Sequence, residues 1–358
     1  MPQKNAPGLF AMFHYLHRLS SEAKRGMKTA LDGCPKCHFM MLESVLMNIE
    51  ERGTDGAIYV SDLAAAIRQP LPAISRALRQ LEQEGLIEVG YMPCNERGEL
   101  KLEEALDMID ESVRAVVMVH ASNVSGTLMP IREVGQRCHE KNVLFFVDAA
   151  QTAGNVPIDM KACHIDGLSL PGHKSMLGPQ GIGALLLNPA ITGELTPVIS
   201  GGTGSHSDMA EMPEELPDRF ESGTMNLPGI FGLHASVGWL AEHQQEVHEH
   251  EQKLVKRMLD GIRDVEGIRI AGMPTEEGRV AVVSVDFLTG DNGMIAFQLE
   301  QEYGIMTRVG LHCAPLAHKS LGTFPEGTVR FSIGPFNTEE EIDTAIEAIR
   351  KYAQESNE

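Results

Sequence analysis

The chain has 358 residues, 42% hydrophobic and 22% charged, which is enough for two or three domains with a sizeable core and unlike the composition of a disordered protein. Its formal charge is −20, but residues 1–92 carry ten basic and ten acidic side chains while residues 93–358 carry twenty and forty, so any affinity for nucleic acid belongs to the first part. No apolar run reaches the roughly 18 residues that span a bilayer and the N-terminus does not read as a signal sequence, so a cytoplasmic protein without a membrane partner is expected, its six scattered cysteines kept as thiols.

In chain order, the first predicted helix lies in HFMMLESVLMNIEE, residues 38–51, where Met41, Val45, Leu46 and Ile49 share one stripe. After GTDG and the short apolar AIYV, Ser61 is placed to cap a second helix, SDLAAAIRQ. A third follows in LPAISRALRQLEQEGLIE, with Ile74, Leu78 and Leu81 inward, and it ends at Gly85. Its outward residues Ser75, Arg76 and Arg79 are candidate DNA contacts, because the second helix of a helix-turn-helix can enter the major groove. On an electrically balanced module the same arginines also read as a solvated face. The segment from roughly residue 8 to 88, above all RALRQLEQEGLIE, resembles the start of a MarR-type winged helix. Within it, Cys34, Cys37 and His38 in GCPKCH match the Cys-x-x-Cys-His spacing of haem attachment, a chemistry that needs export; a zinc half-site, a thiol sensor and an incidental pair are the other readings.

From residue 93 the pattern changes to apolar strands alternating with amphipathic helices. AVVMVHA and VLFFVDAA are continuous apolar runs of the kind found in parallel strands covered on both faces, and GALLLNP is expected to be a third. Sites in such sheets gather at the strands' C-terminal ends, where Asn123, Asp148 and Gln151 fall. A carboxylate there costs free energy unless a cation or strong donor meets it, and opposite a pyridine nitrogen it keeps the ring cationic. The lone Lys174 of PGHK, on the next strand-to-turn segment, can form a Schiff base if its amine is partly desolvated.

HASNVSGT, VDAAQTAG, GHKSMLGPQGIG, GGTGSHS, RFESGTMN, RVGLHCAPLAHKSLGT and VRFSIGPFNTEEEID, in that order, together resemble the class V aminotransferase group of fold-type-I pyridoxal 5′-phosphate (PLP) enzymes, and within it cysteine desulfurases and selenocysteine lyases. The resemblance implies an α/β fold: a fold-type-I large domain in residues 91–235, lacking its N-terminal part, and a small α/β domain in 236–358, preceded by the mainly helical winged-helix-like module in 1–90. It implies PLP as cofactor, Lys174 as the aldimine lysine, Asp148 as partner of the pyridinium nitrogen, Gln151 as donor to the ring hydroxyl and His173 beside the phosphate. It places Asn123 near substrate and ring oxygen, and Arg330 on the substrate carboxylate with its bidentate fork. Cys313 would take sulfur from L-cysteine, or selenium from selenocysteine, leaving a persulfide and alanine, with Arg308 or His312 as the cation that favours its thiolate. The segment GGTGS and Thr224 would reach the phosphate of a neighbouring subunit, which implies a homodimer, and the persulfide implies a sulfur acceptor protein.

Two departures stand out. Family members normally begin with about a hundred further residues that supply a phosphate-cradling loop at a helix N-terminus and a histidine stacked on the ring, and neither is found in residues 1–92. Pro171 stands where Ser or Thr is usual, so one phosphate donor is lost at a cost of about 1.5 to 3 kcal/mol. The module order also suggests the alternative of a PLP-responsive DNA-binding regulator of MocR type. Further on, residues 250–265 read as helix, VAVVSVDF and TVRFSI as strands, and Thr338 with Glu341 as the capping box of a last helix. His243, His248 and His250 lie in a Glu-rich helix and are expected on its solvated face.

Overall fold

The computed structural model describes residues 88–355, apart from 194, 198, 207, 208 and 210. The helices expected before residue 88, with Cys34, Cys37, His38, Ser75, Arg76 and Arg79, lie outside the described residues.

The first lobe opens with α1 (Leu102–Asp107), β1 (Ala115–Val119), α2 (Ile131–Glu140) and β2 (Leu144–Asp148), followed by β3 (Gly167–Pro171) and β4 (Gly183–Leu187). The sheet order is β1-β2-β3-β4, with β1, β2 and β3 parallel and β4 antiparallel to β3. The crossover helix α2 buries Ile131, Val134, Gly135 and Cys138, spaced i, i+3, i+4 and i+7, so that one stripe faces the sheet. Val116, Met118, Phe145, Val147 and Leu168 complete that core layer.

Two expectations need correction here. GALLLNP forms a strand antiparallel to β3, at the edge of the sheet among the described residues and with Leu185 and Leu186 exposed, not a third parallel strand. Among the described residues coverage of β1 is one-sided, because alternate residues Val117 and Val119 are 42% and 43% exposed while Val116 and Met118 are buried. An apolar run marks a strand, but its neighbours decide how many of its faces are covered.

A short helix α3 (Pro189–Thr192) and a 3-10 turn lead to α4 (Leu227–Ile262), 36 residues long and unbroken through position 235. The second lobe follows: β5 (Ile268–Ala271), β6 (Val282–Phe287), α5 (Asn292–Tyr303), β7 (Arg308–Gly310), α6 (Pro315–Ser320), β8 (Thr328–Ser332) and α7 (Glu339–Glu355). Its strands are all antiparallel, in the order β5-β6-β8-β7. One sheet face, with Val283, Val285, Phe287, Val329 and Phe331, packs on Leu254, Met258 and Leu259 of α4, Leu299 of α5 and Ile349 of α7. Each of these fully buried side chains contributes about 1.5 to 3 kcal/mol relative to exposure. The expected capping box is present: the Thr338 hydroxyl accepts from the Glu341 amide at 3.2 Å, and the Glu341 carboxylate accepts from the Thr338 amide at 3.1 Å.

The other face of this sheet meets the turn after β1. The Ser284 hydroxyl donates to the Val124 carbonyl at 2.6 Å, and the buried Arg279 donates to the carbonyls of Ser125, Val282 and Met273. Gly126, at φ 75°, lets this turn lie flat on β6, since a Cβ there would come within 2.8 Å of the Val282 carbonyl oxygen. The turn carrying Asn123 is therefore clamped between the lobes.

Candidate active site

Period-two alternation decides which side chains of the second sheet reach the site. Val329 and Phe331 enter the core, so Arg330 between them projects toward the first lobe. The register of β7 on β8 sets Arg308 directly opposite Arg330. Like charges placed opposite one another are unfavourable without an anion between them. Burial, and then the neighbouring Arg308, lower the pKa of Arg330, and its Nε is buried without a hydrogen-bond partner among the described residues. One Arg330 Nη1 donates to the Asn123 carbonyl at 3.0 Å, and the Asn123 amide donates to the His312 carbonyl at 2.8 Å. Asn123 thus joins the arginine to the loop of Cys313.

Cys313 is exposed at the end of that loop, 3.7 Å from Nη2 of Arg308. The expectation that His312 could be a cation beside it is overturned. His312 is only 4% exposed, its Nε2 meets the Thr328 hydroxyl at 3.0 Å, and burial, helped by Arg330, His318 and Arg308, pushes its pKa down to about 4. At neutral pH the positive charge at the sulfur is that of Arg308.

Asp148 ends β2, with Oδ1 accepting from the Ala150 amide at 2.8 Å and no partner for Oδ2 among the described residues. Gln151 follows, half-buried. Lys174 lies in the turn after β3, closed by hydrogen bonds from the Gly172 amide to the Ile182 carbonyl and from the Gly178 amide to the Gly172 carbonyl. A Cβ at Gly178 would come within 2.9 Å of that carbonyl oxygen, so the close turn depends on the glycine. Although the Lys174 side chain reaches solvent, desolvation lowers its pKa from the ordinary lysine value; Asp148 opposes this, Arg330 adds to it, and Cys313 and Arg308 act more weakly in opposite senses. Lys174, Asp148, Arg330, Arg308 and Cys313 therefore share one electrostatic neighbourhood, drawn from both lobes.

His173 and Thr224 are exposed. The Gly223 amide donates to the Gly202 carbonyl at 2.8 Å, which sets ESGTMN beside GGTGS, away from the strand ends in the chain but adjacent to each other.

Three features escaped the sequence reading. Arg279, 1% exposed with its pKa lowered to about 10 by burial, was visible only as a cation heading an apolar strand. The cross-strand pair Arg308–Arg330 needed the register. The α4 histidines are not simply solvated: His248 Nδ1 meets Asn155 Oδ1 at 2.8 Å, His250 Nε2 meets the Asn337 carbonyl at 2.9 Å, and His243 stacks on Trp239. The Asn155 amide also donates to Glu251, whose burial raises its carboxyl to about 7 against that hydrogen bond.

Two α/β lobes with a lysine, a strand-end aspartate and an arginine pair converging between them define a fold-type-I PLP enzyme architecture. The family model described as aminotransferase class-V matches residues 70–344. A probable cysteine desulfurase of Methanothermobacter thermautotrophicus is 33% identical over 279 residues, covering 76% of this chain and 69% of the relative. A cysteine desulfurase of Haloferax volcanii is 33% identical over 274 residues, covering 76% of this chain and 63% of its own. Among solved structures, a cysteine desulfurase from Thermococcus onnurineus NA1 superposes with a TM-score of 0.75 at 26% identity, over 89% of this chain and 78% of that one. The chain belongs to the class-V aminotransferase family of pyridoxal-phosphate enzymes. It spans about two thirds of the length of the relatives it matches.

The residues present fit the ring end of PLP. The unpartnered Asp148 Oδ2 can accept a ring N–H, and the amine of Lys174, made less basic by desolvation, lies in its field. Among the described residues no helix is long and apolar enough to cross a membrane, and no group of three or more His, Cys, Asp or Glu could hold a metal ion.

Proposed function

We propose that the protein is a PLP-dependent cysteine desulfurase, removing sulfur from L-cysteine to give alanine and a persulfide on Cys313. The observation that carries this is the sulfur of Cys313 beside Arg308, itself paired across strands with Arg330, in the field of Lys174 and Asp148. When bound, PLP supplies an electron sink for cleavage at the amino acid's side chain. Lys174 would tether it and return a proton; Asp148 would hold the ring nitrogen protonated; Gln151 would donate to the ring hydroxyl. Arg330 takes the substrate carboxylate, which relieves its repulsion with Arg308. The Cys313 thiolate, facing Arg308, takes the substrate sulfur and passes it to an acceptor protein. Selenocysteine is the alternative substrate of the same site.

The same reading gives His173 and Thr224 to the cofactor phosphate, Thr224 with GGTGS acting on the neighbouring subunit of a homodimer in the cytoplasm. It keeps the division at 90 and 235. Residues 1–90 would form the MarR-like module that presents Ser75, Arg76 and Arg79 to DNA, a reading supported by sequence pattern alone; salt-dependent retardation of duplex DNA, lost in an Arg76→Ala, Arg79→Ala double variant, is its test.

For the activity, purified protein supplied with PLP, L-cysteine and a reductant should release alanine and sulfide in equal amounts. It should show a visible absorbance band that Lys174→Ala abolishes together with turnover, by roughly 1,000-fold or more. Bound cofactor without alanine would reject the assignment.

A further inference from the structure

The turn that carries Gln151 is held from the end of β1. His120 follows that strand directly, and its amide donates to the Asp148 carbonyl at 2.8 Å. Its ring, 6% exposed, places Nδ1 2.9 Å from the hydroxyl of Thr152, which is 0% exposed. That hydroxyl also donates to the Ala149 carbonyl at 3.4 Å, and the Thr152 amide donates to the same carbonyl at 3.0 Å. One residue beyond β1 therefore grips the chain on both sides of Gln151. An apolar side chain would fill the same space; the imidazole adds a polar atom facing a buried hydroxyl, which is costly to leave unpaired.

The far half of the turn is anchored elsewhere. Gly154, at φ 89°, lies against the residue after Lys174: a Cβ there would come within 2.7 Å of the Ser175 carbonyl oxygen and 2.9 Å of Leu240. The buried Asn155 side chain donates to Glu251 and meets His248 Nδ1 at 2.8 Å, both on α4. Those contacts set Gly154 and Asn155 beside the Lys174 turn. Residues 149–152 are set instead by His120 and by the Ala149 amide, which donates to the Ser169 carbonyl at 2.9 Å. Burial lowers the His120 pKa to about 4, so the ring is neutral at neutral pH and its link to Thr152 does not open by titration there.

We propose that His120 is a positioning residue: acting through Thr152, it fixes residues 149–152 so that Asp148 and Gln151 address the cofactor ring from one rigid turn. The two side chains have different needs. Asp148 has only to stand at the strand end, which β2 supplies, whereas Gln151 is three residues further on, half-buried, and aimed by the backbone of the turn. A donor held at the ring hydroxyl favours the ionised form of that oxygen, so a loosened Gln151 raises the pH at which it ionises. This role rests on the PLP reading of Asp148 and Gln151 and is independent of the amino-acid substrate.

The test uses the full chain and PLP, without substrate. At position 120, Asn carries a donor and an acceptor where Nδ1 lies and Leu keeps only the bulk; at position 152, Ser keeps the hydroxyl and Val removes it. His120→Leu and Thr152→Val should each raise the PLP dissociation constant about tenfold, and the pH midpoint of the visible absorbance change by about one unit. His120→Asn and Thr152→Ser should stay within about threefold in affinity and about half a unit in midpoint. The double variant His120→Leu, Thr152→Val should bind within about twofold of either single variant, because the same contact is lost once. Thermal unfolding of the cofactor-free chain isolates a merely structural role. Leu and Val variants that melt earlier but keep both cofactor readouts overturn the proposal, as does His120→Asn behaving like His120→Leu, or losses that add in the double variant. A Gln151→Leu variant with the parent's midpoint overturns it too. Should His120→Leu fail to fold, Thr152→Val against Thr152→Ser decides. A parent that binds PLP but makes no alanine from L-cysteine defeats the desulfurase reading and leaves the role of His120 to these binding measurements.

Discussion

The two sheets solve opposite problems. In the first, β2 is buried between parallel neighbours, so its Asp148 is delivered to the site by the strand end itself, and Lys174 by the turn that closes β3. In the second, antiparallel strands have a filled core on one face, and the chemistry comes from the alternate face: Arg330, its cross-strand partner Arg308, and the loop to Cys313. The first lobe offers groups suited to a cofactor ring, the second groups suited to a substrate's carboxylate and sulfur. Asn123 belongs to the first lobe and hydrogen-bonds His312 and Arg330 of the second, so the site's geometry depends on how firmly the lobes are docked.

Replacing Cys313, the nucleophile proposed for the second lobe, should produce the largest separation of roles. Cys313→Ser is expected to cut alanine formation roughly 100- to 10,000-fold while leaving the cofactor's absorbance intact, because Lys174 and Asp148 lie in the other lobe. Loss of the absorbance as well would show that the lobes do not divide the work. Arg279→Met attacks the docking. It strips three carbonyls of a buried donor, and thermal unfolding should register a loss of about 2 to 4 kcal/mol. A change below about 0.5 kcal/mol would mean that the clamp is unimportant.

Arg330→Lys keeps the charge but not the fork. KM for L-cysteine should rise roughly 10- to 100-fold with kcat nearly unchanged, and an unaltered KM would remove Arg330 from the carboxylate. The smallest effect concerns Glu251, which supports the segment after Asp148 through Asn155. Its folded pKa of about 7 exceeds the ordinary 4.5, so the native state retains a proton that the unfolded chain has released in that interval. Stability contributed by this site therefore falls as pH rises from 4.5 to 7, and the penalty is complete above it, at about 1 to 3 kcal/mol. Glu251→Gln should be the more stable protein at pH 8 in denaturant titrations and equal to the parent at pH 4; the reverse order would reject the assignment.

Much of the site is legible in the amino-acid sequence. Continuous apolar runs ending in Asn123 and Asp148, and a lone lysine among glycines after the next strand, mark the strand-end chemistry, and the order of seven motifs marks the family. Residues 330 and 308 can be named as cations near a cysteine, but their direct opposition depends on strand register. The neutrality of His312 is not legible, because its sequence neighbours say nothing about Thr328 or the burial of its ring. The α4 histidines mislead for the same reason: a Glu-rich helix looks solvated until Asn155 and Asn337 arrive from elsewhere in the chain.

The amino-acid sequence alone determined the alternation of strands and helices, the capping of the last helix and the placing of Asp148 and Lys174 at strand ends, since periodicity and local hydrogen bonding act over a few residues. The tertiary structure decided which charges survive. Asn123 and Arg330, 207 positions apart, meet only when the lobes dock, and burial of the His312 ring beside Thr328 and His318 keeps it neutral and leaves Arg308 as the cation at the sulfur.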